Sequence, residues 1–301
     1  MSALPDRPET GLFEARYVAF LETIVHLRPQ LHRYCARMTG SAMDGEDVMQ
    51  EALFDAYRKL DHLEDGRSLG PWLFAIAHNR CIDALRRRGV RSRVETEASL
   101  LSEQVLDGEP VGAMLTPAVE RMVIHLPPKE RACLLLKDVF DHSLEEIAPL
   151  VDSTVGGVKS ALSRARQKLA ALPAARDPKP EIDPQTRTLL QLYIDRFNRR
   201  DWEGVRALTS ADAKLRVTDC FAGRLADSPY FVEYSRPIIP WRMALGVVEG
   251  EAVAVIMNDT ADRPTPLSLI RLRVADGQVV RIDDYFKTPW ILESAGPIAL
   301  V

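Results

Sequence analysis

Cysteine is scarce: Cys35, Cys81, Cys133 and Cys220 are the four in 301 residues, and no two form a CxxC pair. That spacing excludes the disulfide framework of small secreted domains and fits reduced thiols. No apolar run approaches the roughly 20 residues of a membrane-spanning helix. The opening segment, residues 1–11, has neither the basic start nor the apolar stretch of a signal peptide. These absences predict a soluble, cytoplasmic protein. A basic excess is also missing. Net charge is −4, so any nucleic-acid contact must rest on a local basic surface. No histidine follows His142, and there is no internal repeat or low-complexity tract. What is present is an ordinary apolar share of 46%, enough for real cores, in a length suited to two or three domains.

Three blocks are separated by two apolar-poor linkers. The first, residues 12–88, reads as helices. Leu31, Tyr34, Cys35 and Met38 recur at helical spacing after Pro29. Met49, Ala52, Leu53, Ala56, Tyr57 and Leu60 do so after Asp44, which is expected to cap that helix. A third helix carries Trp72, Leu73, Ile76, Ala77, Ala84 and Leu85, with Pro71 at its start. The polar loop from His62 to Gly70 lies before it. Residues 89–116 read as a flexible linker. The second block, residues 117–172, contains Ser143-Leu-Glu-Glu146, a capping box that starts a short helix. A longer helix follows from Thr154. Residues 173–184 hold four prolines and form a stiff spacer. The third block, residues 185–301, opens with a helix capped by Asp183, adds a second near Trp202 and continues in strands. Asp276-Gly277 marks a hairpin between Leu267–Val274 and Val279–Phe286. Helices followed by a curved antiparallel sheet predict an α+β cone.

The helix from Thr154 to Leu172 contains no acid. Val155, Val158, Leu162, Ala165 and Leu169 fall on one face, leaving Lys159, Ser160, Ser163, Arg164, Arg166 and Lys168 on the other. A short capped helix followed by such a basic helix is a helix-turn-helix pattern, suited to a DNA major groove. The plain alternative is a helical hairpin with a solvated basic face. In the first block, Arg80, Arg86, Arg87, Arg88, Arg91 and Arg93 oppose only Asp83, with Trp72 and Phe74 upstream. Arginines beside aromatics suit single-stranded DNA, whose bases stack and whose phosphates need neutralising. The helix behind Asp44 is acidic outside, through Glu46, Asp47, Glu51 and Asp55, and suits a protein partner rather than DNA. His32-x-x-Cys35 and His78-x-x-Cys81 offer zinc-type ligands. Both cysteines lie on apolar faces, where the residue usually packs as a small core side chain. The expectation is no metal and no cofactor.

Four segments, in this order and spacing, resemble the extracytoplasmic-function sigma factors over residues 12–172. They are Asp44-Gly-Glu-Asp-Val-Met-Gln-Glu-Ala-Leu, Trp72-Leu-Phe-Ala-Ile-Ala-His-Asn-Arg-Cys-Ile-Asp-Ala-Leu-Arg-Arg-Arg, Leu126-Pro-Pro-Lys-Glu-Arg and Thr154-Val-Gly-Gly-Val-Lys-Ser. The resemblance implies two partners, core RNA polymerase and promoter DNA. It implies that residues 44–60, through Asp44, Glu46, Asp47, Gln50 and Glu51, dock on the polymerase clamp helices. It implies that the loop 62–71 and the helix 72–88, through Trp72, Asn79, Arg80, Arg86, Arg87 and Arg88, open and read the minus-ten element. Thr154, Lys159, Ser160, Ser163, Arg164 and Arg166 would meet the minus-thirty-five element. Gly157 and Ala161 depart from the family's usual threonine and arginine.

The third block resembles the SnoaL branch of the nuclear-transport-factor-2-like fold, through Tyr193-Ile-Asp-Arg-Phe-Asn-Arg-Arg-Asp-Trp-Glu-Gly-Val and Arg281-Ile-Asp-Asp-Tyr-Phe. A subset of these sigma factors carries such a domain in place of a separate anti-sigma partner. The resemblance thus implies two all-α sigma domains, the second with the helix-turn-helix, plus a C-terminal cone that regulates them and offers a pocket for a small-molecule ligand. The alternative is a cyclase- or isomerase-type enzyme fused to a DNA-binding module. Asp219, Asp283, Asp284 and Tyr285 would be its candidates. Strand alternation allows at most one of Asp283 and Asp284 to point inward. The reading adopted makes these strand-end and surface acids and the protein no enzyme.

Overall fold

Ser41 starts the second helix of the chain: its hydroxyl accepts the Asp44 N–H and satisfies a donor that the first turn would leave bare. The expected cap, Asp44, instead lies in that first turn. The structure, a computed structural model, describes residues 8–63, 69–96, 125–171, 182–235, 240–260 and 264–301. They form two units, residues 1–175 and 176–301. No helix among the described residues is long and apolar enough to cross a membrane.

The first unit is helical: α1 Pro8–Thr39, α2 Ala42–Arg58, α3 Leu69–Thr96, α4 Pro128–Asp138, α5 Leu144–Leu150 and α6 Val155–Ala171. Pro29 does not begin α1 but lies inside it. An interior proline removes a hydrogen bond at a cost of about 3 kcal/mol. Leu31, Tyr34, Cys35 and Met38, all fully buried just beyond it, hold the helix through that point. Gly45 lets α2 cross close to α1, because a methyl there would collide with the backbone of Ala36. α3 continues to Thr96, so residues 89–96 extend the helix where a linker was expected. The rest of that linker, most of the loop before α3 and most of the proline spacer lie outside the described residues. The second pair of helices forms as the sequence predicts. Ser143 and Glu146 complete their capping box at the start of α5. Thr154 accepts the Gly157 N–H at 3.1 Å and caps α6.

The second unit opens with α7 Pro184–Asn198 and α8 Trp202–Ala207. Asp183 caps α7 through the Thr186 N–H at 2.8 Å. Then follow β1 Thr209–Val217, β2 Phe221–Arg224, α9 Tyr230–Tyr234, β3 Trp241–Val248, β4 Glu251–Asn258, β5 Thr265–Ala275, β6 Gln278–Asp284, α10 Trp290–Ser294 and β7 Ala299–Leu300. The sheet order is β2-β1-β6-β5-β4-β3-β7. β1 runs parallel to β6, and every other pairing is antiparallel. Asp276 at φ 50° and Gly277 at φ 71° make the predicted two-residue turn between β5 and β6. The inner face packs Leu215, Met243, Leu245, Ile256, Ile270 and Ile282 against Leu190, Tyr193, Ile194 and Phe197 of α7.

Candidate nucleic-acid and polymerase interfaces

Helix α6 turns Val158, Ala161, Leu162 and Ala165 into the core and leaves Thr154, Lys159, Ser160, Ser163 and Arg164 exposed. Ala161, where the family usually has arginine, is fully buried. Not every cation points freely outward. Arg166 is clamped to Asp138 of α4 by two hydrogen bonds of 2.7 and 3.2 Å. Arg164 bonds Glu130 at 2.9 Å, and Lys168 reaches the same carboxylate at 3.1 Å. These pairs staple α6 to α4 and set the pitch at which the remaining side chains leave the helix. Pairing between residues 28 and 34 apart in the chain has no local signal in the sequence.

In the first half of the unit, α2 and α3 lie side by side. Arg80 donates to Asp55 through Nε at 2.7 Å. Its Nη1 lies 3.9 Å from Glu51, and Arg87 approaches the same Glu51 oxygen at 3.4 Å. Arg88 pairs with Asp44 and donates to the Thr39 carbonyl at 2.9 Å. Arg86 turns to Asp83 at 3.6 Å, and Asn79 is exposed. Asp47, Gln50 and Trp72 are half-buried. Glu46 is a correction: it is not on the outside but fully buried, accepting from Gln50 at 2.8 Å with Arg28 at 3.8 Å. The helical period carries it onto the side of α2 that faces α1.

Phe74 is likewise buried rather than presented to DNA. Its ring centroid lies 5.5 Å from Phe140 and 5.1 Å from His142, both just before α5. Tyr34 of α1 meets Phe140 at 5.9 Å and shares a 2.8 Å hydrogen bond with His78 Nδ1. Buried Arg131 of α4 donates to the Met38 carbonyl at the end of α1 and to the Leu126 carbonyl at 2.9 Å. The two halves of the helical unit are therefore in direct contact. His32 donates through Nε2 to the Ala42 carbonyl at 2.9 Å. Burial pushes His32 and His78 down to about 4. The Cys35 thiol hydrogen-bonds Cys81, which together with burial pushes it well up. Among the described residues no group of three or more His, Cys, Asp or Glu could hold a metal ion.

In the cone, Asp283 and Asp284 do point to opposite faces, but both are buried, which corrects the reading of surface acids. Asp284 accepts from Tyr230 at 2.9 Å, Tyr234 at 2.6 Å and the Phe286 N–H at 2.9 Å. Burial holds its carboxyl above the usual range. Asp283 accepts from Arg216 at 3.1 Å and from Arg281 at 2.8 Å. Tyr285 is buried beside Arg216, and Asp219 is exposed in the β1–β2 turn. The cone is filled by packed rings, Phe197 lying 5.0–5.8 Å from Tyr193, Trp202, Tyr234 and Trp241. Two depressions of about 410 and 520 Å³ lie along α7, and neither is lined by Asp284.

A helix-turn-helix stapled onto a second helical module, followed by an α+β cone, defines a multidomain nucleic-acid-binding protein of the transcription type. Family models agree: Sigma-70 region 2 matches residues 23–91 and Sigma-70, region 4 matches residues 117–169. The chain is 31% identical over 293 residues to the ECF RNA polymerase sigma factor SigG of Mycobacterium tuberculosis, covering 87% of this chain and 79% of SigG. It is 29% identical over 162 residues to SigW of Bacillus subtilis, covering 50% of this chain and 87% of SigW. The crystal structure of SigJ from Mycobacterium tuberculosis aligns with 88% of this chain and 95% of its own, at 18% identity and a TM-score of 0.34. The chain belongs to the ECF RNA polymerase sigma factor family.

Proposed function

We propose that this protein binds core RNA polymerase and directs promoter-specific initiation, that its C-terminal cone modulates that activity, and that it catalyses nothing. The observation that carries the reading is the ordered pair of sigma regions, the second ending in a capped, acid-free helix stapled to α4. α2 would face the polymerase, α3 the minus-ten element and α6 the minus-thirty-five element. The non-enzymatic reading is supported by the two sigma regions and by the sigma-factor relatives, which are initiation factors. Run-off transcription with purified core polymerase, comparing the full chain with residues 1–172 and 1–184, tests the whole. Output should change on deletion after Leu172, rising if the cone inhibits and falling if it assists. Equal output and equal polymerase affinity from all three would remove the modulating role. Substrate turnover by residues 183–301 would restore the enzyme.

Lys159 and Arg164 are assigned to the DNA side of α6. Alanine at either position should cost about 1–3 kcal/mol and relax specificity at one base pair if the contact is to a base edge. A phosphate contact should instead weaken all sequences and lower the salt slope by about one. Unchanged affinity and unchanged slope, read by fluorescence anisotropy on duplex promoter, would overturn the assignment.

A further inference from the structure

The sheet of the cone sets charges in register as well as core residues. Leu215 of β1 pairs with Ile282 of β6, Ile282 pairs with Leu272 of β5, and all three lie in the core. Strand alternation sends the adjoining residues to the opposite, outer face. Those residues are Lys214, Arg281 and Arg273, and they are matched in the same way: Lys214 with Arg281, and Arg281 with Arg273. On its other side Lys214 pairs with Arg224 of β2. Four adjacent strands therefore carry a cation at one level, and all four cations are exposed. Strands lie about 4.8 Å apart, so the row runs roughly 14 Å across the sheet. Like charges directly opposite one another destabilise a sheet. The acids close by do not cancel them. Asp283 is shared by Arg216 and Arg281, Glu251 is shared by Arg271 and Arg273, and Asp212 lies 3.9 Å from Arg224. With Lys214, six cations stand against three acids around the row.

We propose that the row Arg224-Lys214-Arg281-Arg273 is a further nucleic-acid contact, a flat track for the phosphate backbone of duplex DNA. One strand of a duplex carries a phosphate about every 3.4 Å of its axis, so the row faces about four of them. Three of the four cations are arginines, whose planar donors match phosphate oxygens. A polyanion laid along the row removes the repulsion between neighbouring cations at the same time as it gains contacts. A second copy of the cone would bring charge of the same sign to this face and is repelled. Backbone contacts carry no sequence information, so the row adds affinity and orientation rather than promoter choice. The row belongs to the cone and is independent of the assignments of α3 and α6. It takes from the proposed function only that DNA is at hand.

The test uses the full chain without polymerase and a fluorescein-labelled duplex of mixed sequence without a promoter, titrated by anisotropy over a range of salt. Lys214→Gln combined with Arg224→Gln removes two cations of the row and leaves the buried Asp283 its two arginines. This double variant should bind several-fold more weakly than the parent at low salt. The slope of log K against log salt should become shallower by about 0.9 for each lost phosphate contact, roughly 1.8 in all. The cone should melt no lower than in the parent, because two like-charged neighbours have gone. Arg187→Gln combined with Arg199→Gln, exposed cations in and just after α7, changes the net charge equally and should leave the slope alone. A parental slope in the row variant, or an equal change from the α7 variant, overturns the track. So does a lowered melting temperature, which marks the cations as structural. Weaker binding of fluorescein-labelled polyglutamate with an unchanged DNA slope also overturns it and gives the face to an acidic protein. Lys159→Ala on the same duplex keeps the failures apart. If it makes the slope shallower while the row variant does not, only the track fails. If the row variant alone does so, the track stands and the assignment of Lys159 to DNA fails.

Discussion

Phe140→Asp should part the two halves of the helical unit, so that they melt as two separate transitions. Phe140 joins Tyr34 and Phe74 at 5.9 and 5.5 Å, and it comes from the far side of a linker in the sequence. Each aromatic pair contributes about 0.5–1.5 kcal/mol beyond buried area. An unpaired carboxylate between those rings costs several kcal/mol more unless it escapes to water. Opening is the low-energy escape. It matters for function because the promoter elements, as their names state, lie about 25 base pairs apart, roughly 85 Å of B-DNA. On the proposed assignment of α3 to the minus-ten and α6 to the minus-thirty-five element, halves whose rings touch cannot serve both at once, and the closed form has to open first. Apparent affinity falls by the fraction that is open. Destabilising the closed form by 1.4 kcal/mol should therefore raise promoter binding by about tenfold where the closed form dominates. Calorimetry reads the transitions and energy transfer between dyes on α2 and α6 reads the separation. One transition at the parental temperature, with unchanged promoter binding, would count against the contact.

Acid should undo the helical unit before the cone. His32 and His78 are buried neutral, held near 4, while the unfolded chain takes up these protons near 6.5. Below pH 6.5 the unfolded state therefore binds more protons, and stability is lost as pH falls from 6.5 to about 4. The full loss is about 3 kcal/mol for each histidine, a large share of the 5–15 kcal/mol that holds a typical domain together. Asp284 acts with the opposite sign. Its folded carboxyl is raised, so its contribution is fully present below the unfolded value and is lost as pH rises through the folded one. Thermal melts between pH 7 and 4.5 should show the helical transition falling steeply while that of the cone holds. His78→Gln should flatten the fall. A helical transition insensitive to pH would refute the buried neutral histidines.

The helix-turn-helix was legible because its signals are local. Ser143 with Glu146 and Thr154 with Gly157 close hydrogen bonds within three residues, and Asp276-Gly277 places two residues at positive φ inside a single turn. The order of helical blocks and sheet, and the outward face of α6 at Lys159 and Ser163, follow from hydrophobic period alone. The fates of the charges do not. Glu46 and Asp47 are neighbours in an acidic run, yet the core takes Glu46 and leaves Asp47 half-buried. Arg80, Arg87 and Arg88 read as an unopposed basic cluster, because the acids that meet them lie 25 to 44 residues earlier. Phe74 looked available to DNA until Phe140 and His142 covered it. Asp283 and Asp284 looked like surface acids at a strand end until Arg216, Tyr230 and Tyr234 enclosed them. Composition and period set which elements form and which faces are apolar. Which charge meets which depends on the register and crossing of elements far apart in the chain, and only packing of the whole core decides that.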